Sequence, residues 1–522
     1  MTLAQILPVP SPLANRLSFI LKVALAAGLA LLADIVFASG ATLLEAGSVA
    51  GLVALLWLAA LLICNPQLRS HPASHYALAG AGLAGLALAY EPGAVATLLF
   101  CFYLGLAIFL PRHGSFDNAL RWLLRLALYG VIAPLSILFD LFRLGKAGRG
   151  ARSFGLVSLL GALPLTIVGS LVFLALFSDA NPLIGRLLSQ AVVALDSPHL
   201  ADLAVNHVLF LVVALTTFWA SIRPLRLRIL TSRSAFIGPT PARKGWFGAG
   251  AIIPALASFN LIFALQNLSD LAFLWGGAKL PEGMTFSDYA HKGTNALIVA
   301  ALLAALFVLA FLRTGSPVSA NRLVRGLVYA WIGQTVLLVF SCMERTLNYI
   351  EAYSLTYIRL NALIFMALVA AGLVLICWRI ATSRNGAWLI NANALCFSVV
   401  LGLVSFTNYD AVIARWNLVQ SAGAPQRVVR LDIDYLRTLQ GSGALLPLVE
   451  ATQEPAHASD ALMSLRYSTQ KRLESQQADW RLWTLAGAWR LRAAGPLPTG
   501  IAVIVDPPQD SARPQIRSAP IP

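Results

Sequence analysis

The residues best suited to chemistry stand at the ends of long apolar runs. Arg345, Tyr349 and Tyr353 follow one another at intervals of four residues, and Glu344 is adjacent. On a helix this spacing places the guanidinium and both phenols on one face. A guanidinium presents a planar fork of donors that holds an anionic group with two hydrogen bonds. The full candidate set is Gln266, Asp288, Tyr289, His291, Glu344, Arg345, Tyr349, Tyr353, Arg359, Asp410 and Arg415.

Two interpretations of this set stay open. In the first, the residues form a polar pocket in which Arg345 or Arg359 binds an anionic ligand. In the second, they form an ion-pair network that docks loops together, with Arg345 beside Asp288 or Glu344. An enzyme would use Asp288 or Glu344 as a general base and an arginine to hold a phosphate.

Motifs with a known mechanism are missing from the sequence. It contains no P-loop, no HExxH, no GxSxG and no GxGxxG after a strand. The seven histidines are scattered, and the five cysteines fall inside or at the ends of apolar runs without a CxxC. We therefore expect no metal site, no cofactor and no disulfide framework, and the catalytic residues, if any, are unknown.

Composition describes the elements that must position these side chains. The chain has 522 residues, of which 58% are hydrophobic and only 12% charged. Soluble domains carry about 25% charged residues, so this is a membrane protein. The net charge of +15 lies mostly in short loops rather than in a basic domain, which argues against nucleic acid as a partner and makes the lipid bilayer the main one.

Apolar runs of about 20 residues predict membrane-spanning helices, because each residue of a helix rises 1.5 Å through a core of about 30 Å. The expected fold is an all-α bundle of eleven spans with a small helical domain at the C-terminus. The predicted spans are 18–38, 44–64, 73–90, 93–110, 155–177, 203–222, 246–268, 293–313, 322–342, 356–377 and 386–405.

Lysine and arginine alternate between crowded and nearly empty loops. With the N-terminus inside, twenty-one of these residues before position 405 lie on the inner side and five on the outer side. Positive charge marks cytoplasmic loops, so we expect a multi-pass protein of the bacterial cytoplasmic membrane whose C-terminus faces outward. The inner basic loops are expected to contact anionic lipid headgroups. A ligand or a protein partner in the envelope would meet the outer side.

Residues 119–142 are apolar but have arginines on both sides. Arg121 and Arg125 stand at the beginning, and Arg143 follows the end. Positive charge at both ends predicts an interfacial or re-entrant segment rather than a span.

The chain therefore divides into five expected parts. A region of four spans is followed by a basic interfacial segment, a core of seven spans, an outer helical domain and a Pro-rich tail that we expect to be disordered. The outer domain should bury one apolar face around Leu436 and another around Leu465. Trp480, Trp483 and Trp489 either pack in the core or an interface, or form an aromatic surface that touches lipid headgroups. The boundaries are 1–110, 111–154, 155–405, 406–494 and 495–522.

The outward motifs carry a family resemblance. The chain resembles bacterial integral-membrane proteins of the "domain of unknown function 4153/4173" type in the order and spacing of its motifs. In that pattern, His291 stands in place of an arginine and Ser354 in place of a glycine. The resemblance implies an inner-membrane protein of unestablished activity. The matching stretches are 178–182, 266, 273–277, 289–293, 345–359, 408–410, 414–417 and 432–436.

The predicted orientation can be tested with reporter fusions. Fusions after Asp196, Pro281 and Gln453 should report the outer side, because these positions lie in loops poor in basic residues. A fusion after Lys146 should report the inner side. An inner signal at Gln453 would overturn the count of eleven spans.

Overall fold

The computed structural model describes residues 16–37, 47–113, 116–133, 136–137, 140, 198–224, 249–272, 321–422, 431–439, 441–453 and 459–497. Every regular element in these ranges is helical, so the all-α class is confirmed for them. Two of the predicted spans, 155–177 and 293–313, lie outside the described residues, as do the candidates Asp288, Tyr289 and His291.

Sixteen α-helices and one 3-10 turn, Ser442–Ala444, make up the described part of the chain. The helices are α1 (Arg16–Phe37), α2 (Val49–Cys64), α3 (Gln67–Ser70), α4 (Pro72–Tyr90), α5 (Ala94–His113), α6 (Ala119–Ile132), α7 (Pro198–Ile222), α8 (Ala249–Asp270), α9 (Arg322–Tyr353), α10 (Tyr357–Ala381), α11 (Gly386–Phe406), α12 (Tyr409–Ala422), α13 (Ile433–Thr438), α14 (Leu445–Gln453), α15 (Asp460–Ala478) and α16 (Leu485–Ala494).

Within the described ranges, five helices are long and apolar enough to cross a membrane, namely α1, α5, α9, α10 and α11. Helix α2 and the second half of α7 are apolar but shorter. The chain is therefore a multi-pass membrane protein. Helix α9 has 32 residues, or about 48 Å, and exceeds a hydrocarbon core of about 30 Å. The predicted span 322–342 lies within this helix, and the residues that follow it in the same helix include Arg345 to Tyr353.

Small residues bring α2, α4 and α5 close together. A Cβ on Gly51 would overlap the backbone of Ala89, and one on Gly80 would lie 2.7 Å from the ring of Tyr103. Gly85, in turn, leaves room for Leu55 of α2. Residues 51 and 55 thus meet residues 89 and 85, which makes α2 and α4 antiparallel.

Helices α8 and α9 run parallel and are joined by amide side chains. Asn260 Nδ2 donates to Leu327 O at 3.0 Å, and Asn267 Nδ2 donates to Gln334 O at 3.0 Å. Asn260 and Asn267 are seven positions apart, and so are Leu327 and Gln334. The contacts therefore proceed in the same direction along both helices. Interhelical bonds of this kind satisfy polar groups that the bilayer would leave without partners.

The bundle has two chemically different ends. At the basic end, Asn65 Nδ2 donates to Ile222 O at 3.1 Å, and Arg223 lies 3.2 Å from Asp140. At the opposite end, which we call the capped end, α2 begins, α4 turns into α5, α9 turns into α10, and α11 ends. The described residues between 431 and 497 pack on that end.

Both ends of α6 contact the basic end of the bundle. The backbone N–H of Ala119 donates to Asn391 Oδ1 at 2.8 Å, close to the start of α11. Ten residues later, Tyr129 Oη donates to Ala220 O at 2.8 Å, close to the end of α7. Helix α6 therefore lies along the basic end of the bundle.

A carboxylate anchors the beginning of α6. Asp117 lies 3.3 Å from Arg121 and 3.3 Å from Arg125. Burial raises the pKa of this carboxyl, but the N–H of Asn118 and the charges of the two arginines outweigh burial and lower it below the usual value. Arg121 and Arg125, in the first two turns of α6, thus pair with a carboxylate that precedes the helix.

The C-terminal helices share a core with the extension of α9. Leu436 and Leu465 are buried together with Ile350 and Leu355, so the predicted apolar faces of this part are buried against the bundle. The segment 431–497 thus packs on the bundle through a continuous apolar contact.

Ser354 makes the tight turn between α9 and α10. Its φ is 70°, in the left-handed region that favours glycine. Glycine, which the resemblance led us to expect at this position, adopts this conformation without strain. Arg359 Nη1 donates to the carbonyls of Tyr353, at 2.6 Å, and Ser354, and so covers the C-terminal carbonyls of α9.

Replacing Ser354 with glycine should therefore stabilise the protein. Relief of the left-handed conformation contributes about 1 kcal/mol, which should raise the unfolding midpoint of the purified protein in detergent. Ser341→Gly within α9 is the matched control and should lower the midpoint, because glycine weakens a helix interior. A lower midpoint for both variants would contradict the assigned strain.

Candidate functional site at the capped end

Arg345, the centre of the predicted site, is paired inside the protein. Its Nη2 donates to the carboxylate of Asp270, and both side chains are almost fully buried. Gln266 Nε2 donates to the same carboxylate oxygen at 2.9 Å. The sequence suggested Asp288 or Glu344 as the partner. In the structure Glu344 is exposed, and Asp270 pairs with Arg345.

Arg359, Tyr349 and Tyr353 form a stack beside this pair. The guanidinium carbon of Arg359 lies 4.3 Å from the ring centroid of Tyr349, and the two tyrosine rings are 4.8 Å apart. Part of the donor capacity of Arg359 is used by the backbone carbonyls of the turn at Ser354. The stack therefore positions the α9–α10 turn. The guanidinium of Arg359 is bound by backbone carbonyls of that turn and by the ring of Tyr349.

A cavity of about 260 Å³ lies near this turn at the capped end. It is just smaller than the range of about 300–1,000 Å³ that is usual for pockets of drug-sized ligands, so it suits a smaller molecule. Its apolar wall comes from residues such as Val95 and Phe406. Its polar wall comprises Glu91, Tyr357, Asn408 and Asp410.

Asp410 is the candidate that the structure places in this cavity. Its side chain is buried, and Tyr357 Oη donates to Oδ1. A Cβ on Gly441 would overlap Oδ2, so glycine is needed for this close approach. Within the described residues, no Lys, Arg or His lies at ion-pair distance from this carboxylate. Arg415 of the same helix instead faces Glu450 at 3.5 Å on the surface.

A second carboxylate, Glu91, links the cavity to the C-terminal segment. Arg490 holds it with two hydrogen bonds of 2.7 Å each, and Asn408 Nδ2 lies 3.1 Å from both of its oxygens. Arg490 also donates to Ser442 Oγ. Fork-to-fork pairs of this kind are among the strongest polar contacts in proteins. Arg490 therefore ties α16 to the turn between α4 and α5.

Sequence reasoning did not single out Glu91 or Arg490. One signal existed, because Glu91 is the only charged residue between two apolar runs, in the turn Glu91-Pro92-Gly93. Arg490 carries no such signal, since it is one of several arginines in a charged region. Asp410 was among the predicted candidates, because it and Asn408 lie in the polar stretch that follows the last predicted span.

The family model described as a domain of unknown function (DUF4153) matches residues 50–451. The chain belongs to the DUF4153 family. The resemblance inferred from the motifs is thereby confirmed. The matched part of this DUF4153 protein includes Glu91, Arg345 and Asp410 and ends before Arg490. No curated protein and no solved structure matches the chain.

The Arg345–Asp270 pair can be tested for a structural role. Arg345→Met should lower the free energy of unfolding by about 3–5 kcal/mol, because it leaves a buried carboxylate without its cation. Adding Asp270→Leu should recover most of that loss, since an apolar pair replaces an ion pair. The matched control is Arg325→Met, an exposed position of the same helix, which should change stability little. An undiminished stability of Arg345→Met would contradict the structural role.

Proposed function

We propose that the capped end faces away from the cytoplasm of a bacterium and that the protein spans its inner membrane eleven times. The excess of basic residues on the opposite side supports this orientation. The contacts of α6 with Asn391 and Ala220, both near the basic end, support an interfacial position for residues 119–142. The inner basic loops then lie where anionic headgroups are available.

The proposed activity is non-enzymatic binding of a small molecule from the envelope at the capped end. The observation that carries this proposal is the buried carboxylate of Asp410 in the wall of the cavity. A buried carboxylate is costly unless hydrogen bonds or a charge compensate it. Because Glu91, Asp410 and Asn408 supply acceptors, the favoured ligand donates hydrogen bonds, as an amine or a polyol does. A transporter-like, sensory or envelope-assembly component would use such a site.

An envelope transferase acting on a lipid-linked or anionic substrate is the alternative. The clustering of polar groups beside Arg345 and Arg359 is what favours it. However, Arg345 is engaged with Asp270, and Arg359 is engaged with the carbonyls after α9. Glu344 is exposed on α9 and is not part of the cavity wall. The binding function is therefore better supported.

A complementation experiment tests the proposal. A strain lacking this gene is profiled for envelope lipids and glycans and then supplied with wild-type protein, Asp410→Asn or Asp434→Asn. Asp410→Asn keeps the size of the side chain but removes its charge, and it should fail to restore the profile. Asp434 is an exposed acid on α13, and its variant should restore the profile fully.

Two outcomes would count against binding at the cavity. Full restoration by Asp410→Asn, at the same protein level as wild type, would exclude a role for this carboxylate. The purified protein could also convert a lipid or glycan that accumulates in the deletion strain. That result would replace the binding function with the enzymatic one.

A further inference from the structure

Three tryptophans near the C-terminus are exposed, so they do not pack in the core. Trp480, Trp483 and Trp489 are 52%, 36% and 56% exposed, and Leu485 beside them is 51% exposed. We call these four side chains the tryptophan surface. A tryptophan carries roughly 250 Å² of surface, so the group leaves several hundred Å² of apolar area uncovered. An exposed apolar area of this size within ten residues of the chain indicates an interaction surface.

Backbone hydrogen bonds fix this surface at the first turn of α2. Gly47 N donates to Arg481 O at 2.7 Å, and Ser48 N donates to Trp483 O at 2.7 Å. Leu485 N donates to Ser48 Oγ at 2.9 Å. A Cβ on Gly47 would overlap the carbonyl of Trp483, so the two segments touch directly.

The two helices that contact this segment, α2 and α4, also carry exposed leucines. Leu52 and Leu56 of α2 are exposed, and so are Leu83 and Leu86 of α4. The α2 pair begins one turn below Ser48, and the α4 pair ends one turn before Glu91, where Arg490 holds α16. The tryptophan surface thus lies at the level where the lipid-facing sides of two apolar helices end.

Charge at this surface suits lipid headgroups. The guanidinium carbon of Arg481 lies 5.3 Å from the ring centroid of Trp480, and Arg492 is exposed one turn beyond Trp489. Asp479 is adjacent, but its Oδ1 accepts the N–H of Arg481 and closes the turn. Tryptophan favours the boundary between acyl chains and headgroups, and arginine binds phosphate there.

We propose that the tryptophan surface is immersed in the headgroup region of the bilayer that the bundle spans. The lipid surface then holds the C-terminal segment at the level where Arg490 reaches Glu91. This proposal depends on the membrane location and not on a ligand in the cavity. A second copy of the chain or a soluble partner would be the competing occupant.

Site-directed spin labelling of the full chain in nanodiscs of phosphatidylethanolamine and phosphatidylglycerol tests this. Nitroxides replace Trp480, Trp483 or Trp489 in a background in which the five cysteines are changed to alanine. Their accessibility to oxygen relative to a water-soluble nickel chelate should be severalfold higher than at the control sites Asp460 and Ser468. Both controls are exposed positions of α15.

A second variant guards against misfolding of the labelled proteins. Trp480→Phe, Trp483→Phe and Trp489→Phe together should lose the part of the fluorescence that lipids brominated near the headgroup quench in wild type. Nickel-chelate accessibility equal to the controls would overturn the proposal. So would protection from both reagents together with dipolar broadening between labels, which would indicate a second copy.

Discussion

The bidentate ion pair between Glu91 and Arg490 is the contact on which the capped end depends. It joins two residues that are 399 positions apart and fixes α16 to the turn between α4 and α5. A carboxylate in that turn would be costly without a partner, because the surrounding wall is partly apolar. Arg490 supplies the charge, and Asn408 adds a donor to both oxygens. Through Asn408, the same contact also places Asp410 in the wall of the cavity. The need of Glu91 for a charged partner therefore determines which residues line the site.

Much of the helical architecture could be predicted because it depends on local patterns. Apolar runs of membrane length predicted α4, α5, α10 and α11 to within a few residues. The intervals of four residues correctly placed Arg345, Tyr349 and Tyr353 on one helix, and the glycines of α4 allow its close packing against α2 and α5. These features need only the period of a helix, the thickness of a bilayer and the volume of a side chain.

Partners of charged residues could not be predicted, because pairing is a property of the folded chain. Asp270, 75 positions away on a parallel helix, pairs with Arg345 and was not among the acids considered for it. No periodicity of the sequence reveals which acid a distant helix brings to a given arginine. The tryptophans illustrate the same limit. Composition favours burial of Trp480, but its exposure follows from the backbone contacts of its turn with Gly47.

The proposed ligand and the C-terminal segment are linked through charge. With Arg490 in place, Glu91 is neutralised, and Asp410 is the carboxylate left to attract a donor. If Arg490 withdrew, two carboxylates would face the same small cavity, and its attraction for a cationic group would rise. A cationic ligand would then compete with Arg490 for Glu91, so binding and docking of the segment would oppose each other by equal free energies. A neutral polyol, by contrast, would add hydrogen bonds without displacing the arginine. A cationic ligand should therefore weaken docking of the C-terminal segment, whereas a neutral polyol should not. This difference distinguishes the two ligand classes that the cavity favours.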